Sequence, residues 1–390
     1  MPKKETRIPI SRRAREVTPF LAMEVMERAK ELEAEGRDVI YLCLGEPDFP
    51  TPAPVVEAAI RSLRGGETQY THSLGRMDLR EEIAAHYARR YGVSILPDQI
   101  LVSSGTSPLL LLLFAALLEE GDEILLPDPS YACYPDTIRF VGGVPRFLAA
   151  REEDGFQPDP AEVAARLSPR VRGILVNSPS NPAGSVLPPE WLRELATLPV
   201  PLISDEIYHG LTYEGEERSA LEYSPDAFVL GGFSKAYAMT GWRLGYLVAP
   251  RQCIRTLQSL HQNFFISANS FVQSAGIVAL RDCAEEVARM RRAYDARRLR
   301  VVERVRELGL GVRRVPTGAF YVLADARHIR RDSLSLALEI LEETGVAITP
   351  GIDFGPGAEG YLRFSYANSM ENLERGLARL AAMFRTRGWI

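Results

Sequence analysis

Lysine is almost missing from this sequence. Lysine and arginine together occupy 46 of 390 positions, but the lysines are only Lys3, Lys4, Lys30 and Lys235. A codon bias toward arginine accounts for the general pattern. Arginine, however, cannot lose its proton near neutral pH, whereas a lysine amine can become a nucleophile or an imine. Lys235 is therefore the first candidate for a reactive residue.

Cysteine and cationic runs are also scarce. The four cysteines lie far apart and form no CxxC pair, so the sequence predicts neither a metal site nor a disulfide framework. The formal net charge is −5 and no like charges cluster, so we expect no nucleic-acid and no membrane partner. No strand candidate is followed by GxGxxG, which disfavours a nicotinamide oxidoreductase.

Long apolar runs and targeting signals are missing as well. The apolar stretch 109–118 is too short to span a bilayer, and the N-terminus lacks the apolar region of a signal peptide. Its basic residues resemble a transit peptide, but Glu5 and Glu16 interrupt them, which is more typical of a solvated arm. We expect a cytoplasmic protein.

The hydrophobic pattern predicts an α/β fold. Short apolar runs without period-2 polarity, at 100–102, 123–126, 173–176, 201–203, 228–230 and 244–248, indicate strands of a mostly parallel sheet. Between or beside them, amphipathic or apolar stretches predict helices at 55–63, 78–91, 109–118 and 189–196. A long arginine-rich helix over 284–308 precedes a smaller α+β region. This region has predicted strands near 319–323, 346–348 and 361–365 and predicted helices near 334–343 and 370–384. Residues 20–35 would connect it to the rest of the chain.

Polar residues follow several of the predicted strands directly. In open α/β sheets, ligands bind outside the carboxyl ends of the strands, so one pocket can collect these residues. They are Ser104, Gly105, Thr106, Tyr131, Asn181, Asp205, Tyr208, Ser234 and Lys235.

Lys235 follows a strand and a glycine turn. Desolvation there lowers an amine pKa toward the free base that a Schiff base needs, although an isolated Ser-Lys pair is more often a solvent-exposed strand end. Arg243 lies eight residues later and can return to the same pocket to bind a phosphate dianion.

The other polar residues fit pyridoxal phosphate (PLP) chemistry, but each also has a structural explanation. Asp205 can keep a pyridine nitrogen protonated or merely cap a turn, and Tyr208 can donate to the ring O3′. Asn181 can contact O3′ and a substrate carboxylate, or belong to an ordinary loop. Tyr131 can stack on the ring or pack in the core.

Two further features can hold anions. The turn Ser104-Gly105-Thr106 opens a helix, where backbone N–H groups favour a phosphate, or where the residues act as a simple N-cap. Arg363 lies inside an apolar strand and needs a partner, either a substrate α-carboxylate or a structural salt bridge.

With these residues in place, the chain resembles the class I/II aminotransferases, the fold-type-I PLP enzymes related to aspartate aminotransferase. The matching segments cover nearly the whole chain in the same order, and the lysine segment is the most specific of them. They are LGEPD at 44–48, SNPAG at 180–184, DEIY at 205–208, SKAYAMTGWR at 234–243 and LRFS at 362–365.

The resemblance implies a fold and an assembly. A large PLP-binding domain at 48–285 would contain a mostly parallel seven-stranded sheet between helices, and 1–47 with 286–390 would form a smaller α+β domain. Homodimers with shared sites are usual in the family, and Tyr70 resembles the partner tyrosine that reaches the phosphate.

The resemblance also implies roles for the site residues. Lys235 would be the Schiff-base lysine and proton shuttle, Asp205 would contact the pyridine nitrogen, and Tyr208 and Asn181 would contact O3′. Tyr131 would stack on the ring. The phosphate would be held by Ser104, Gly105, Thr106, Ser234 and Arg243, and the substrate carboxylate by Gly45, Asn181 and Arg363.

The sequence departs from the family pattern at three positions. Gly232 stands where many relatives have a serine, and Ala183 replaces the commoner threonine. Thr106 stands where some aspartate-specific relatives have a lysine, which argues against aspartate as the substrate. Tyr70, Tyr131 and Phe20 favour an aromatic or apolar pocket.

The function implied is ping-pong transamination from an L-amino acid to a 2-oxo acid, often 2-oxoglutarate. A β-lyase of the C–S lyase type on the same scaffold is the alternative that the sequence leaves open. A non-catalytic PLP-binding regulator is disfavoured, because few residues precede the family-like region and we expect no added DNA-binding segment.

Overall fold

Helices and strands alternate through most of the chain. The computed structural model describes residues 8–390, so Lys3 and Lys4, which belong to the expected N-terminal arm, lie outside the described residues. The helices are α1 Arg12–Arg15, α2 Leu21–Ala34, α3 Ala53–Arg64, α4 Met77–Tyr91, α5 Thr106–Leu117, α6 Cys133–Phe140, α7 Pro160–Ala165, α8 Pro189–Ala196, α9 Arg251–Phe264, α10 Ser270–Asp282, α11 Ala284–Glu307, α12 Ser333–Thr344 and α13 Met370–Thr386. The strands are β1 Ile40–Tyr41, β2 Ile100–Ser103, β3 Glu123–Asp128, β4 Val144–Ala149, β5 Val171–Asn177, β6 Leu202–Asp205, β7 Phe228–Gly232, β8 Gly245–Val248, β9 Tyr321–Asp325, β10 Val346–Ala347, β11 Thr349–Pro350 and β12 Tyr361–Ser365.

The largest sheet has seven strands in the order β2-β8-β7-β6-β5-β3-β4. Its neighbours pair in parallel except at β8, which is antiparallel to both β2 and β7. This confirms the predicted α/β class and the mostly parallel sheet.

Both faces of this sheet are covered by helices. Adjacent side chains of one strand enter different cores: Leu101 belongs to the same apolar core as Leu109 of α5, whereas Val102 belongs to the same core as Leu79 of α4. Because both faces are buried, the strands carry continuous apolar runs without polar alternation. The same topology brings the carboxyl ends of β5, β6 and β7 to one edge, which positions the site.

The C-terminal part contains two smaller sheets. One has the order β11-β12-β9 with antiparallel pairs, and the other is the parallel pair β1-β10. The β1-β10 pair joins the N-terminal and C-terminal parts, and the Ser365 amide also donates to the carbonyl oxygen of Leu42 at 2.8 Å. The domain boundaries at 47/48 and 285/286 stay predictions.

Several elements were not predicted from the sequence, namely the strands β1, β4 and β11 and the helices α6, α7, α9 and α10, besides the short α1; the expected connection through 20–35 is largely the helix α2. Within residues 8–390, no helix combines the length and the apolar character needed to cross a membrane. Among the same residues, no three His, Cys, Asp or Glu side chains form a group suited to a metal ion.

Candidate active site

A cavity of about 420 Å³ lies at the carboxyl ends of the central strands. It contains ten of the residues predicted for the site: Gly45, Thr106, Tyr131, Asn181, Asp205, Tyr208, Ser234, Lys235, Arg243 and Arg363. The predicted Ser104 and Gly105 belong to the turn that enters the cavity but do not line it, and Tyr70 lies outside it. Most of the residues predicted for the site therefore lie together in one cavity, as expected for residues that follow the carboxyl ends of the strands.

Lys235 is held inside the cavity by a contact with the N-terminal part of the chain. β7 ends at Gly232, and the turn that follows aims the lysine inward, where Nζ donates to the carbonyl oxygen of Gly45 at 2.6 Å. Burial lowers the pKa of Lys235 to about 8, while the carboxylate of Glu46 acts in the opposite direction. The uncharged amine that a nucleophilic lysine requires is therefore far more accessible near neutral pH than it would be at the ordinary pKa of 10.5.

Gly45 is required by close packing. A Cβ built at this position would lie 2.4 Å from the hydroxyl oxygen of Tyr321. A side chain there would displace both the tyrosine and the carbonyl group that Lys235 contacts. At this position, therefore, the turn contributes backbone atoms of Gly45 to the cavity and no side chain.

Asp205 ends β6 as a buried carboxylate. Tyr134 donates to Oδ2 at 2.6 Å, and the amide of Ile207 donates to Oδ1 at 3.1 Å. Burial raises the pKa of Asp205, and these two hydrogen bonds oppose the rise. A cationic N–H placed in the cavity would be a strong partner for this carboxylate. Tyr134 was not predicted; it lies in α6, and its ring meets that of Tyr131 edge to face, with centroids 5.2 Å apart.

Asn181 and Arg363 form one buried unit. Arg363 Nη1 donates to Asn181 Oδ1 at 2.8 Å, and Nη2 donates to the Cys43 carbonyl at 2.6 Å and to Thr349 Oγ1 at 3.0 Å. The guanidinium carbon stacks 4.4 Å from the centre of the Tyr321 ring. Within residues 8–390, Arg363 Nε is buried and has no hydrogen-bond partner, so the protein contacts of this arginine leave one donor unsatisfied.

Tyr208 lies deep in the site with its hydroxyl oxygen 2.7 Å from that of Tyr321. Burial raises the pKa of Tyr208 well above its ordinary value, so the phenol is neutral and can donate a hydrogen bond. Asn177, which was not assigned to the site from the sequence, accepts from the Asn181 amide at 2.8 Å and donates to the Asp205 carbonyl at 2.9 Å. This side chain ties the ends of β5 and β6 together.

The glycine turn before α5 faces Arg243. Gly105 has φ +92° and precedes the first residue of α5, and a Cβ on it would lie 2.5 Å from Arg243 Nη2. The free N–H groups of a helix N-terminus attract anions, and an adjacent guanidinium reinforces that attraction. Arg243 itself has φ +55°, a strained conformation for a residue with a side chain.

Tyr70 is not part of its own chain's cavity. It is 83% exposed. Its predicted role in the site of a partner subunit stays a prediction.

The residues present fit bound pyridoxal phosphate. The turn at Gly105 with Arg243 suits the phosphate, buried Asp205 suits a protonated ring nitrogen, and the amine of Lys235 suits an aldehyde carbon. The unpaired Nε of Arg363 leaves a donor for a substrate carboxylate. Fold and site together define a fold-type-I enzyme that depends on pyridoxal phosphate.

Comparisons with known proteins identify the family. Residues 37–380 match the family described as aminotransferase class I and II. The chain is 40% identical over 376 residues to the (5-formylfuran-3-yl)methyl phosphate transaminase of Methanocaldococcus jannaschii, with 95% of this chain and 98% of the relative covered. It is 41% identical over 382 residues to the aspartate/prephenate aminotransferase of Thermus thermophilus, with the same coverage. Among solved structures, the aspartate aminotransferase of Thermus thermophilus with maleate has a TM-score of 0.92 at 40% identity, over 96% of this chain and 99% of that one.

The chain therefore belongs to the class I and II aminotransferases. It is a transaminase that uses pyridoxal 5′-phosphate, and its substrates are an amino acid and a 2-oxo acid. This confirms the family, the cofactor and the class of enzyme predicted from the sequence.

Proposed function

We propose that this aminotransferase works by a ping-pong mechanism, in which an L-amino acid and then a 2-oxo acid occupy the same cavity in turn. The observation that carries the proposal is the half-buried Lys235 amine in one cavity with Arg363, whose Nε has no partner within residues 8–390. A base and a carboxylate anchor in one enclosed space are what proton removal from a substrate Cα requires. 2-Oxoglutarate is the acceptor expected from the resemblance.

The proposed roles follow from the contacts. When bound, pyridoxal phosphate supplies an aldehyde carbon that accepts the amino group and a ring that withdraws electrons from the substrate Cα. Lys235 Nζ removes and returns the Cα proton, and Asp205 holds a proton at the ring nitrogen. Arg363 and Asn181 orient the substrate carboxylate, and the neutral phenol of Tyr208 donates toward O3′.

The phosphate-binding group of residues is the second part of the proposal. The backbone of Ser104, Gly105 and Thr106 and the side chains of Ser234 and Arg243 would hold the phosphate, with Tyr131 against the ring. Tyr131 and Tyr134 are arranged edge to face with centroids 5.2 Å apart, so the helix α6 region presents both rings beside Asp205. A homodimer and a cytoplasmic location complete the proposal.

The similar proteins do not identify the substrate of this chain, because their names specify different substrates. One acts on a furan phosphate and another on aspartate or prephenate. A binding pocket, rather than the shared catalytic residues, distinguishes such substrates.

A half-reaction tests the proposal. The loaded enzyme is mixed with single amino acids without an acceptor, and the cofactor absorbance is followed. We expect stoichiometric conversion to the amine form of the cofactor, and recovery of the starting spectrum on addition of a 2-oxo acid. Catalytic release of pyruvate and ammonia without any acceptor would instead establish the elimination chemistry of a β-lyase.

A further inference from the structure

The charged residues of the catalytic cavity are already engaged. Within residues 8–390, the cations that line it are Lys235, Arg243 and Arg363. Lys235 contacts Gly45, Arg243 faces the turn at Gly105, and Arg363 is bonded to Asn181. No cation of this lining is left for a second substrate carboxylate.

One wall of the cavity is apolar. Its N-terminal part is fixed in place, because Asp353 accepts from the amides of Leu21 at 2.8 Å and Ala22 at 3.1 Å at the start of α2. The rings of Phe20 and Tyr131 meet edge to face, with centroids 6.1 Å apart. The wall consists of Phe20, Ala22, Met23, Leu110, Tyr131 and Ile207.

A second, larger cavity of about 920 Å³ adjoins this wall and shares Phe20 and Ser107 with the first. Its surface is mainly apolar, with aromatic side chains such as Phe147 and Phe354. Its cation, Arg139, is paired with Asp136 at 2.9 Å, and Asp353 is also part of the lining. A side chain that extends past Phe20 therefore meets apolar groups and carboxylates.

We infer that both substrates have uncharged, apolar side chains, from aliphatic to aromatic, and that the acceptor is a monocarboxylic 2-oxo acid rather than 2-oxoglutarate. The inference rests on the proposed ping-pong transamination, and it replaces the 2-oxoglutarate acceptor that the family resemblance implies with a monocarboxylic one. A distal carboxylate in this cavity would be desolvated without a counter-ion, which strongly disfavours its binding. The exchange is balanced: the donor Cα loses its amino group and its hydrogen and gains a carbonyl oxygen, while the acceptor Cα loses its carbonyl oxygen and gains an amino group and a hydrogen.

A substrate panel on the loaded wild-type enzyme tests this inference. Specificity constants, kcat/KM, are measured for leucine, phenylalanine and alanine against aspartate and glutamate, with pyruvate, phenylpyruvate and 2-oxoglutarate as acceptors. We expect leucine or phenylalanine to exceed both acidic donors by about tenfold or more, and a monocarboxylic acceptor to exceed 2-oxoglutarate by about the same factor.

The possible failures are distinguishable. A ratio of specificity constants below about tenfold, for donors or for acceptors, would overturn the inference. It would mean that a cation from outside this lining reaches the substrate, and the proposed transamination would stand. If no amino acid of either kind converts the cofactor to its amine form, the proposed function itself fails.

A variant of the wall tests the location of the side-chain pocket. We expect Phe20→Ala to lower kcat/KM for phenylalanine and leucine by about tenfold, with a much smaller change for alanine, since alanine does not reach this wall. Leu299→Ala is the matched control, because Leu299 is 54% exposed on α11 and outside the cavity. An equal loss for all donors in Phe20→Ala would show that Phe20 does not recognise the side chain.

Discussion

The side-chain amine of Lys235 has a property that a guanidinium cannot reproduce. It lies half-buried in the cavity, and its pKa of about 8 allows it to lose a proton under working conditions. We expect Lys235→Arg to keep a cation in the cavity but to lower kcat by about 1,000-fold or more, because arginine remains protonated. The rate of the half-reaction and the absorbance retained after dialysis measure the effect.

Lys30 provides a matched control for this substitution. It is the other lysine within residues 8–390, it lies exposed on α2, and its amine sits 5.8 Å from the centre of the Tyr41 ring. Lys30→Arg should leave both measurements unchanged. Comparable activity in the two variants would remove Lys235 from the mechanism.

The same amine predicts a pH dependence of cofactor attachment. Burial lowers the pKa of Lys235, so the reactive free base increases as pH rises through about 8 instead of 10.5. When apoenzyme is mixed with pyridoxal phosphate, the rate of cofactor attachment should rise with pH and level off above about pH 8. Stopped-flow absorbance follows this rate.

Glu46 gives a second test of this pH profile. Its carboxylate favours the charged amine, so Glu46→Gln should move the midpoint to lower pH. A wild-type midpoint near 10, or a shift of the variant toward higher pH, would contradict the assignment.

At the scale of elements, the turn between β2 and α5 depends on a glycine for two separate reasons. Gly105 has φ +92°, and a Cβ on it would also meet Arg243 Nη2 at 2.5 Å. Gly105→Ala should therefore destabilise the fold by about 1–3 kcal/mol and also displace the guanidinium, which weakens cofactor binding by at least about tenfold. Thermal unfolding of the apoenzyme and an absorbance titration with cofactor separate the two effects.

Gly121 is a control position that separates the effect of backbone strain from the effect of the close contact with Arg243. It has φ +83°, and a Cβ there would meet nothing within 4 Å. Gly121→Ala should lose stability through the same kind of backbone strain while keeping its cofactor affinity. If both variants bound the cofactor equally well, the close approach of Gly105 and Arg243 would have no part in binding.

Helix α6 places the Tyr134 phenol on Asp205, which makes it a positioning residue for that carboxylate. Tyr134→Phe removes a hydrogen bond that lowers the pKa of Asp205 against the effect of burial. A bond to a charged group contributes about 1.5–3 kcal/mol, so we expect the dissociation constant of the cofactor to rise by about ten- to a hundredfold.

Tyr361→Phe is the corresponding control. Its hydroxyl donates to Glu152 at 3.3 Å, outside the cavity, so the loss of this bond should leave cofactor affinity unchanged. Equilibrium dialysis of both apoenzymes compares them directly. Unchanged affinity in Tyr134→Phe would show that Asp205 does not depend on this phenol.

The elements that the sequence predicted have a simple physical signature. β2 and β8 are buried on both faces and correspond to the apolar runs predicted at 100–102 and 244–248, and α8 has the predicted bounds, 189–196. β4 was missed because it lies at the sheet edge and is mostly exposed or half-buried, so it has no such run. α9 was missed although its buried residues Ile254, Leu257 and His261 recur at helical spacing, so its local pattern does contain the signal. α10 has a weaker pattern, because polar residues such as Ser270 and Gln273 are buried in it together with the apolar ones.

The residues of the site also divide into those that the sequence predicted and those that it did not. Residues at strand ends were predictable, since a parallel sheet gathers the ends of its strands at one edge. Tyr134 and Tyr321 were not, because their contacts depend on how α6 and β9 lie against the large sheet. Contacts between distant segments, such as Tyr208 with Tyr321, have no local sequence signal.

At the scale of the whole molecule, one exposed apolar area is notable. Tyr70, Phe264 and Ile266 are 83%, 67% and 49% exposed. Their segments adjoin, because the Thr71 amide donates to Ser267 Oγ at 3.4 Å. Grouped exposed apolar side chains are typical of an interaction surface, which supports the proposed homodimer; light scattering should give twice the mass of 43.4 kDa.

Mixing of inactive subunits tests whether Tyr70 completes the site of a partner. Lys235→Ala and Tyr70→Ala each impair every site of their own homodimers if the sites are shared. In a mixed dimer, however, the subunit that keeps Lys235 receives an intact Tyr70 from the other, so one site of two is complete. We expect coexpressed, doubly tagged mixed dimers to recover close to half of the wild-type kcat per dimer. If Tyr70 instead acted within its own chain, the two substitutions would leave both sites defective, and the mixed dimer would be no more active than the average of its parents.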